Sequence, residues 1–205
     1  MESIATAADY ADALLVARTA RSWVVTLLLV MLLAQMGLFF TYRYSHALDP
    51  VVATATRPAT PTAVASVVHY WLAMFGFVGI VAAIVLCVDM LLILHVMLVG
   101  RLIGVSHVAK AWLASVILVV LLFPWQAFLN NADLTATEFK IPGVIFTWEE
   151  LVKYARFPTG EFKVAALRWF RFVVAPVLAM VLLLLVQARS SRGLRLALGE
   201  EKPVV

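Results

Sequence analysis

The sequence contains a single cysteine, Cys87, among 205 residues. One thiol excludes an internal disulfide and a CxxC redox motif, because each of these needs two cysteines. Cys87 lies within a long apolar run, and apolar surroundings disfavour the reactive thiolate form. We therefore interpret Cys87 as an inert packing residue.

Charged residues are also scarce, which argues against a soluble protein. Only 14% of the residues are charged and 64% are hydrophobic, which is more apolar surface than a soluble domain of this length can bury. A lipid hydrocarbon core about 30 Å thick is crossed by roughly 20 apolar residues in a helix. Four segments reach that length, so the sequence predicts an all-α polytopic membrane protein whose single transmembrane domain covers 1–205. The predicted helices are about 23–42, 67–99, 109–129 and 164–188.

Prolines and small residues modify three of these predictions. Pro124 and Pro176 lack a backbone N–H, so they predict kinks in the third and fourth helices or, for Pro124, an early end to the third helix. In the second helix, Gly76, Gly79 and Ala83 are small enough to admit a neighbouring backbone. Chance placement of small residues in a membrane helix explains them equally well.

Two connecting segments differ in composition. Residues 45–66 are rich in proline, threonine and alanine, which predicts a flexible connector. Residues 130–163 are predicted to be partly ordered, because Thr147 and Glu150 have the spacing of a capping box. In that motif each side chain satisfies the backbone amide of the other residue.

A short interfacial helix is predicted directly after this capping box, over about 148–156. Trp148 and Tyr154 lie in it, and Phe157 follows it. Aromatic rings of this kind lie at membrane interfaces, where the ring body is buried and the polar edge stays hydrated. The three residues are therefore candidate interfacial contacts.

Catalytic motifs are missing from the sequence. It contains no phosphate-binding glycine loop, nucleophile elbow or zinc-protease motif. No segment between the predicted helices is long enough to build a catalytic domain with its own core, and no internal repeat of the kind common in transporters is present. We therefore predict no enzymatic activity and no cofactor.

The positions of the cations predict an orientation. Arg101 and Lys110 flank the short turn between the second and third helices, and the last helix ends in three arginines, Arg189, Arg192 and Arg195. Basic residues near short turns favour the cytoplasmic side, so both termini are predicted to be cytoplasmic, in a plasma membrane or bacterial inner membrane. The cations are spread along membrane edges and form no dense cluster, which argues against binding to nucleic acid.

Asp89 is the most unusual residue of the predicted helices, because a carboxylate at membrane depth is costly. Counting along each helix places Gln35 and Ser115 at a similar predicted depth. The three side chains are therefore a candidate intramembrane polar cluster. This cluster has two interpretations: a polar lock between helices, which we favour, and a site for a proton or cation.

The histidines are the remaining candidate ligands. His69 and His95 are 26 residues apart, or about 39 Å along one helix, so both cannot lie well inside the bilayer. Asp89 and His95 are six positions apart and do not share a helix face. His69, His95 and His107 are therefore weak candidates for haem or metal ligands, and no metal site is predicted.

Three functional classes follow. The first is a non-catalytic membrane subunit or scaffold, whose partners are the lipid bilayer and other integral membrane subunits or copies of itself. We favour it because four crossings with few polar positions leave little material for a conducting path. The second is a small oligomeric channel or transporter that uses Asp89 as its proton or cation site. The third is a redox subunit that carries haem or metal on its histidines.

Overall fold

A computed structural model of the chain describes residues 7–45, 63–123, 125, 144–155 and 162–200. Within these ranges the backbone forms helices and turns and no strand. The helices are α1 (Ala7–Tyr44), α2 (Ala63–Val99), α3 (Val105–Leu122), α4 (Trp148–Tyr154), α5 (Phe162–Trp169), a π-helical segment (Phe170–Val174) and α6 (Ala175–Ala197).

Four of the described helical spans are long and apolar enough to cross a membrane. This confirms the predicted all-α polytopic membrane protein. The last span is continuous through α5, the π-helical segment and α6. The four spans are Asp9–Tyr44, Ser66–Val99, Val105–Leu122 and Ala165–Ala197.

The first helix begins well before the apolar run that revealed it. Its start is Ala7 rather than 23. The intervening stretch is rich in alanine, the strongest helix former, and contains no glycine or proline. Asp9 in the first turn also interacts favourably with the positive end of the helix dipole. Hydrophobicity located the apolar part of α1, whereas local propensity extends the helix beyond it.

The other helix boundaries lie near prolines in the sequence. α2 begins at Ala63, so the end of the predicted connector is helical, while residues 46–62 lie outside the described residues. α3 ends at Leu122, in agreement with the early end that Pro124 predicts. Residues 126–129 of the predicted third helix are likewise outside the described ranges.

The end of α2 is closed by a Schellman-type turn. The Leu102 N–H donates to the Met97 carbonyl at 2.9 Å, and the Arg101 N–H donates to the Leu98 carbonyl at 3.2 Å. Arg101 takes the left-handed position of this motif with φ of 50°. Glycine is the usual residue at that position, yet Gly100 lies one residue before it.

Pro176 acts on the turn that precedes it. Its ring lacks an N–H and conflicts with the carbonyl four residues earlier, at Phe172. The preceding residues, Phe170–Val174, form a π-helical segment, and the Ala175 N–H donates to the Phe170 carbonyl five residues back. The proline is thus accommodated by widening one turn of the helix.

The chain divides into two compact units, and each is described by itself. Unit 1 comprises the described residues of Met1–Leu29, Val81–Leu121 and Ala179–Val205. Its buried side chains include a helical stripe on α2 formed by Leu86, Met90, Ile93 and Met97, each at most 1% exposed. Their spacing of three or four residues places them on one face of the helix.

Two glycines let backbones approach closely in unit 1. A Cβ added to Gly104 would lie 2.7 Å from the Gly193 carbonyl oxygen, and one added to Gly193 would lie 2.6 Å from Cγ2 of Val108. Gly104 also has a φ of 95°, which side chains disfavour. The turn between α2 and α3 therefore contacts α6 at positions that only glycine fits.

Unit 2 comprises the described residues of Val30–Ile80 and Leu122–Leu178. It has an aromatic core, in which the rings of Phe39 and Phe172 stack at 4.8 Å and Phe146 meets Phe172 edge-on at 5.2 Å. The small residues Gly76 and Gly79 face the side chain of Ile145. At these two positions a side chain, rather than the expected neighbouring backbone, fills the space.

Candidate functional site

Asp89 on α2 has a counter-charge within unit 1, and that counter-charge is Arg21 on α1. The two side chains attract each other electrostatically. Arg21 is only 1% exposed, whereas Asp89 is partly buried. Opposite charges that leave water together are stabilised by their mutual attraction, which offsets part of the desolvation cost of each.

The remaining polar atoms of this pair are only partly satisfied. Arg21 Nη2 donates to the Ser191 hydroxyl at 3.0 Å, which connects α1 to α6. Arg21 Nε and Nη1, Asp89 Oδ2 and Gln187 Oε1 are buried and have no hydrogen-bond partner among the described residues. Buried polar atoms without partners are costly, so this region favours a ligand, ion or water that can pair with them.

Ser115 and Gln35, the predicted partners of Asp89, are both buried. Ser115 is fully buried, and its hydroxyl donates to the Trp112 carbonyl at 2.7 Å. Gln35 is 3% exposed and lies in unit 2, whereas Asp89 and Ser115 lie in unit 1. The association of all three residues therefore stays a prediction.

Sequence reasoning missed Arg21 as a site residue. The residue stands two positions before the apolar run that begins at Trp23, where it resembles an ordinary flanking cation. The signal available was the need of Asp89 for a positive partner. That need, applied to the cations nearest the ends of the apolar runs, would have made Arg21 a candidate.

A groove of about 820 Å³ opens beside Arg21 in unit 1. It is formed by residues of α1 and α6, and its lining is rich in arginine and hydroxyl side chains. Below it is called the arginine groove. Its lining residues are Leu15, Arg18, Thr19, Arg21, Ser22, Trp23, Thr26, Gln187, Ser191 and Arg195.

The charges of the arginine groove are incompletely balanced. Arg18 Nη1 forms an ion pair with Glu200 at 3.1 Å, and both side chains are partly exposed. Arg21 is matched electrostatically by Asp89. Arg195 is exposed and forms no ion pair with a described residue. The groove therefore favours an anion.

In unit 2 the helix α4 is fixed by its predicted capping box and by an ion pair that was not predicted. Thr147 Oγ1 accepts from the Glu150 N–H, and Glu150 Oε2 accepts from the Thr147 N–H. The same carboxylate oxygen accepts from Arg171 at 2.6 Å, and the two side chains are 16% and 13% exposed. A charge-assisted contact this sheltered from water ties α4 to the π-helical segment.

A second cation holds the other end of α4. Arg43 Nη1 donates to the Ala155 carbonyl at 2.9 Å. Its guanidinium also lies over the Trp169 ring, 5.3 Å from the centroid, in a cation–π contact. Both ends of α4 are thus bound to residues of longer helices in unit 2.

Of the candidate interfacial aromatics, only Trp148 has a described side chain. It meets Tyr42 edge-on at 5.9 Å and packs against the aromatic core. The side chain of Tyr154 and all of Phe157 lie outside what the structure describes. Their interfacial role stays a prediction.

The three described histidines lie in surroundings of different character. His69 is exposed and lines an apolar pocket of about 480 Å³ in unit 2. His95 is exposed and His107 partly buried, both in unit 1. Within the described part of the chain, no three His, Cys, Asp or Glu side chains are grouped closely enough to hold a metal ion.

Comparison with protein-family models, with curated proteins and with solved structures finds no match to this chain.

Proposed function

We propose that this protein is a non-catalytic integral membrane subunit or scaffold of a larger membrane assembly. The observation that supports this proposal is that the costly intramembrane carboxylate of Asp89 has a counter-charge on another helix. Asp89 on α2 is attracted electrostatically by Arg21 on α1, and Arg21 donates a hydrogen bond to Ser191 on α6. Charge attraction and one hydrogen bond thus couple three helices, which supports a polar lock.

The surroundings of this lock are consistent with a packing role. Large apolar side chains on α2, including Ile84, Val88 and Leu92, are about half exposed. In a membrane these faces lie against lipid or against apolar helices of a partner. Partner helices that cover such faces need little more than complementary shape.

The helix α4 offers a contact surface of a different kind. It is bound at both ends, so its solvent face is held in one conformation and costs little entropy on association. Val152 is 38% exposed on that face. The proposal assigns the face of α4 around Val152 to partner contact, with both termini of the chain in the cytoplasm.

The test is capture of the partner from the native membrane. The full chain, carrying a photo-crosslinking amino acid at Val152, is irradiated in membranes, purified in mild detergent and examined by mass spectrometry. We expect a discrete adduct with another integral membrane protein or with a second copy of the chain. The matched control carries the crosslinker at Leu92, 59% exposed on a membrane span, and is expected to give lipid adducts.

Recovery of the chain as a lone monomer, with no protein adduct at Val152, would contradict the subunit proposal. A protein adduct at Leu92 and none at Val152 would retain the subunit but contradict the assignment of α4 as its contact surface.

A second candidate function is transport of a proton or cation through Asp89. The observation that favours it is the buried Asp89 Oδ2, which lacks a hydrogen-bond partner among the described residues. Under this alternative, Asp89→Asn abolishes flux in proteoliposomes while the fold persists. Under the subunit proposal the unchanged chain carries no such flux.

A further inference from the structure

We propose that the arginine groove binds the phosphate headgroup of an anionic lipid. Arg18, Arg21 and Arg195 line one groove with the hydroxyl residues Ser22 and Ser191. Guanidinium groups bind phosphate oxygens through paired, charge-assisted hydrogen bonds. This site is separate from the contact surface assigned to α4.

Arg21 supplies the strongest argument for a ligand. Its side chain is 1% exposed, yet it lines the groove, and its Nε and Nη1 atoms have no hydrogen-bond partner among the described residues. Each is a charged N–H donor without an acceptor. A phosphate oxygen that reaches either group would satisfy it and remove the cost of burying that donor unpaired.

Two of the hydroxyl groups that line the groove already donate hydrogen bonds within α1, so they are not donors for an anion. Thr19 Oγ1 donates to the Leu15 carbonyl at 3.1 Å, and Thr26 Oγ1 donates to the Ser22 carbonyl at 2.9 Å. Both threonine protons are therefore used within α1. While Glu200 is paired with Arg18, the donors for an anion are the guanidinium groups of Arg21 and Arg195, with the Ser22 hydroxyl.

The position of the groove on its two helices indicates a lipid rather than a free ion. On α1 it lies where the polar stretch meets the apolar run that begins at Trp23, and on α6 it lies next to the basic end at Arg195. Trp23 is 73% exposed on the groove wall, as expected for an aromatic residue at the headgroup level. Leu15 adds an apolar wall. Basic pockets between membrane helices bind anionic headgroups in this way.

Glu200 is an internal competitor for the same site. Its carboxylate forms the ion pair with Arg18 at the edge of the groove. A carboxylate bound to an arginine occupies the donors that a phosphate would use. Arrival of the lipid headgroup is expected to displace Glu200 from Arg18.

The test measures lipid retention by the full chain. The protein is reconstituted in nanodiscs of phosphatidylcholine with or without phosphatidylglycerol and then released into mild detergent. Native mass spectrometry measures the mass of the protein with its retained lipids. We expect preferential retention of phosphatidylglycerol. Arg195→Gln should reduce this retention about fivefold, the effect of one cation at a membrane surface. The control Arg189→Gln removes another exposed arginine of α6 that does not line the groove, and should change retention less than about twofold.

A second pair of variants tests for the opposite effect, an increase in phosphatidylglycerol retention. Glu200→Gln removes the internal competitor and should raise retention of phosphatidylglycerol by about twofold or more. Asp12→Asn makes the same change of net charge at an exposed site on α1 and should leave retention unchanged. Because Arg195, Glu200 and their controls are exposed, these variants are expected to fold even where Arg21→Gln does not.

Three results would overturn the proposal. One is equal retention of the two lipids by the unchanged chain. Another is an equal loss in Arg195→Gln and Arg189→Gln, which would indicate general surface charge. The last is complete displacement of phosphatidylglycerol by inorganic phosphate, which would make the ligand a soluble anion.

Discussion

Arg21 and Asp89 show how a membrane helix accommodates charge. Asp89 stood out in the sequence because the residues around it are apolar, and its role as a polar lock is still the favoured interpretation. Its counter-charge did not stand out, because Arg21 precedes an apolar run and resembles an ordinary flanking cation. A sequence shows the cost of one buried charge, whereas the identity of its partner depends on how two helices pack.

Glycine positions provide a prediction at the residue scale. Gly104→Ala forces a side chain into a backbone carbonyl and into a left-handed conformation, and should cost about 2–4 kcal/mol of unfolding free energy. Gly193→Ala should also destabilise the chain, because stiff Val108 must move. The measurement is thermal unfolding in detergent.

The matched control for this prediction is Gly37→Ala. An added Cβ at Gly37 meets nothing within 4 Å, and alanine is the better helix former by about 1 kcal/mol. Gly37→Ala should therefore be neutral or stabilising. Equal destabilisation by Gly37→Ala and Gly104→Ala would show that the close approach of Gly104 to Gly193 is not what these glycines provide.

At the scale of an element, α4 has one contact that the sequence predicted and one that it did not. The capping box of Thr147 and Glu150 was predicted, because its two members are three residues apart and act locally. The ion pair between Glu150 and Arg171 was not predicted, because its members are 21 residues apart. Local chemistry started the helix, and tertiary contacts fixed it in unit 2.

This division predicts different effects for two substitutions in α4. Thr147→Ala removes only the cap and should cost about 1 kcal/mol. Glu150→Gln also weakens the contact with Arg171, leaving a sheltered cation without its counter-charge, and should cost more. Hydrogen exchange of the α4 amides, followed by mass spectrometry, measures both effects.

Arg171→Gln and Lys163→Gln provide the control for this comparison. Arg171→Gln should accelerate exchange in α4 much as Glu150→Gln does. Lys163 is exposed on α5, so Lys163→Gln makes the same charge change with no effect on α4 expected. Unchanged exchange in Arg171→Gln would contradict the role given to the ion pair.

Pro124 and Pro176 show a further limit at the element scale. Both prolines were expected to perturb their helices, and α3 does end at Leu122. At Pro176 the helix is not ended but widened into the π-helical segment Phe170–Val174. The missing N–H is visible in the sequence, whereas the choice between a break, a kink and a wider turn depends on packing around it.

At the scale of the whole molecule, the membrane-spanning character was predicted from composition and segment length alone, and four spans confirm it. The start of α1 was harder to predict, because the helix begins at Ala7, well before the hydrophobic run. The arginine groove was not predicted, because it joins residues from opposite ends of the chain. Function is the hardest property to predict from the sequence, since an all-α membrane fold serves many functions.

The most direct test of the subunit proposal is a double-substitution cycle at Arg21 and Asp89, read out both as unfolding free energy and as recovery of the partner from membranes. Arg21→Met or Asp89→Leu alone leaves one charge unmatched. Asp89→Leu leaves the fully buried Arg21 without a counter-charge and should cost about 3 kcal/mol, whereas Arg21→Met should cost less because the Asp89 that it leaves is partly exposed. Both single variants should recover less partner.

The combined variant replaces the pair by apolar side chains, and should regain stability and partner recovery together. A combined variant that is stable but recovers no partner, or whose loss of stability is the sum of the two single losses, would contradict the assignment of this pair as a structural lock.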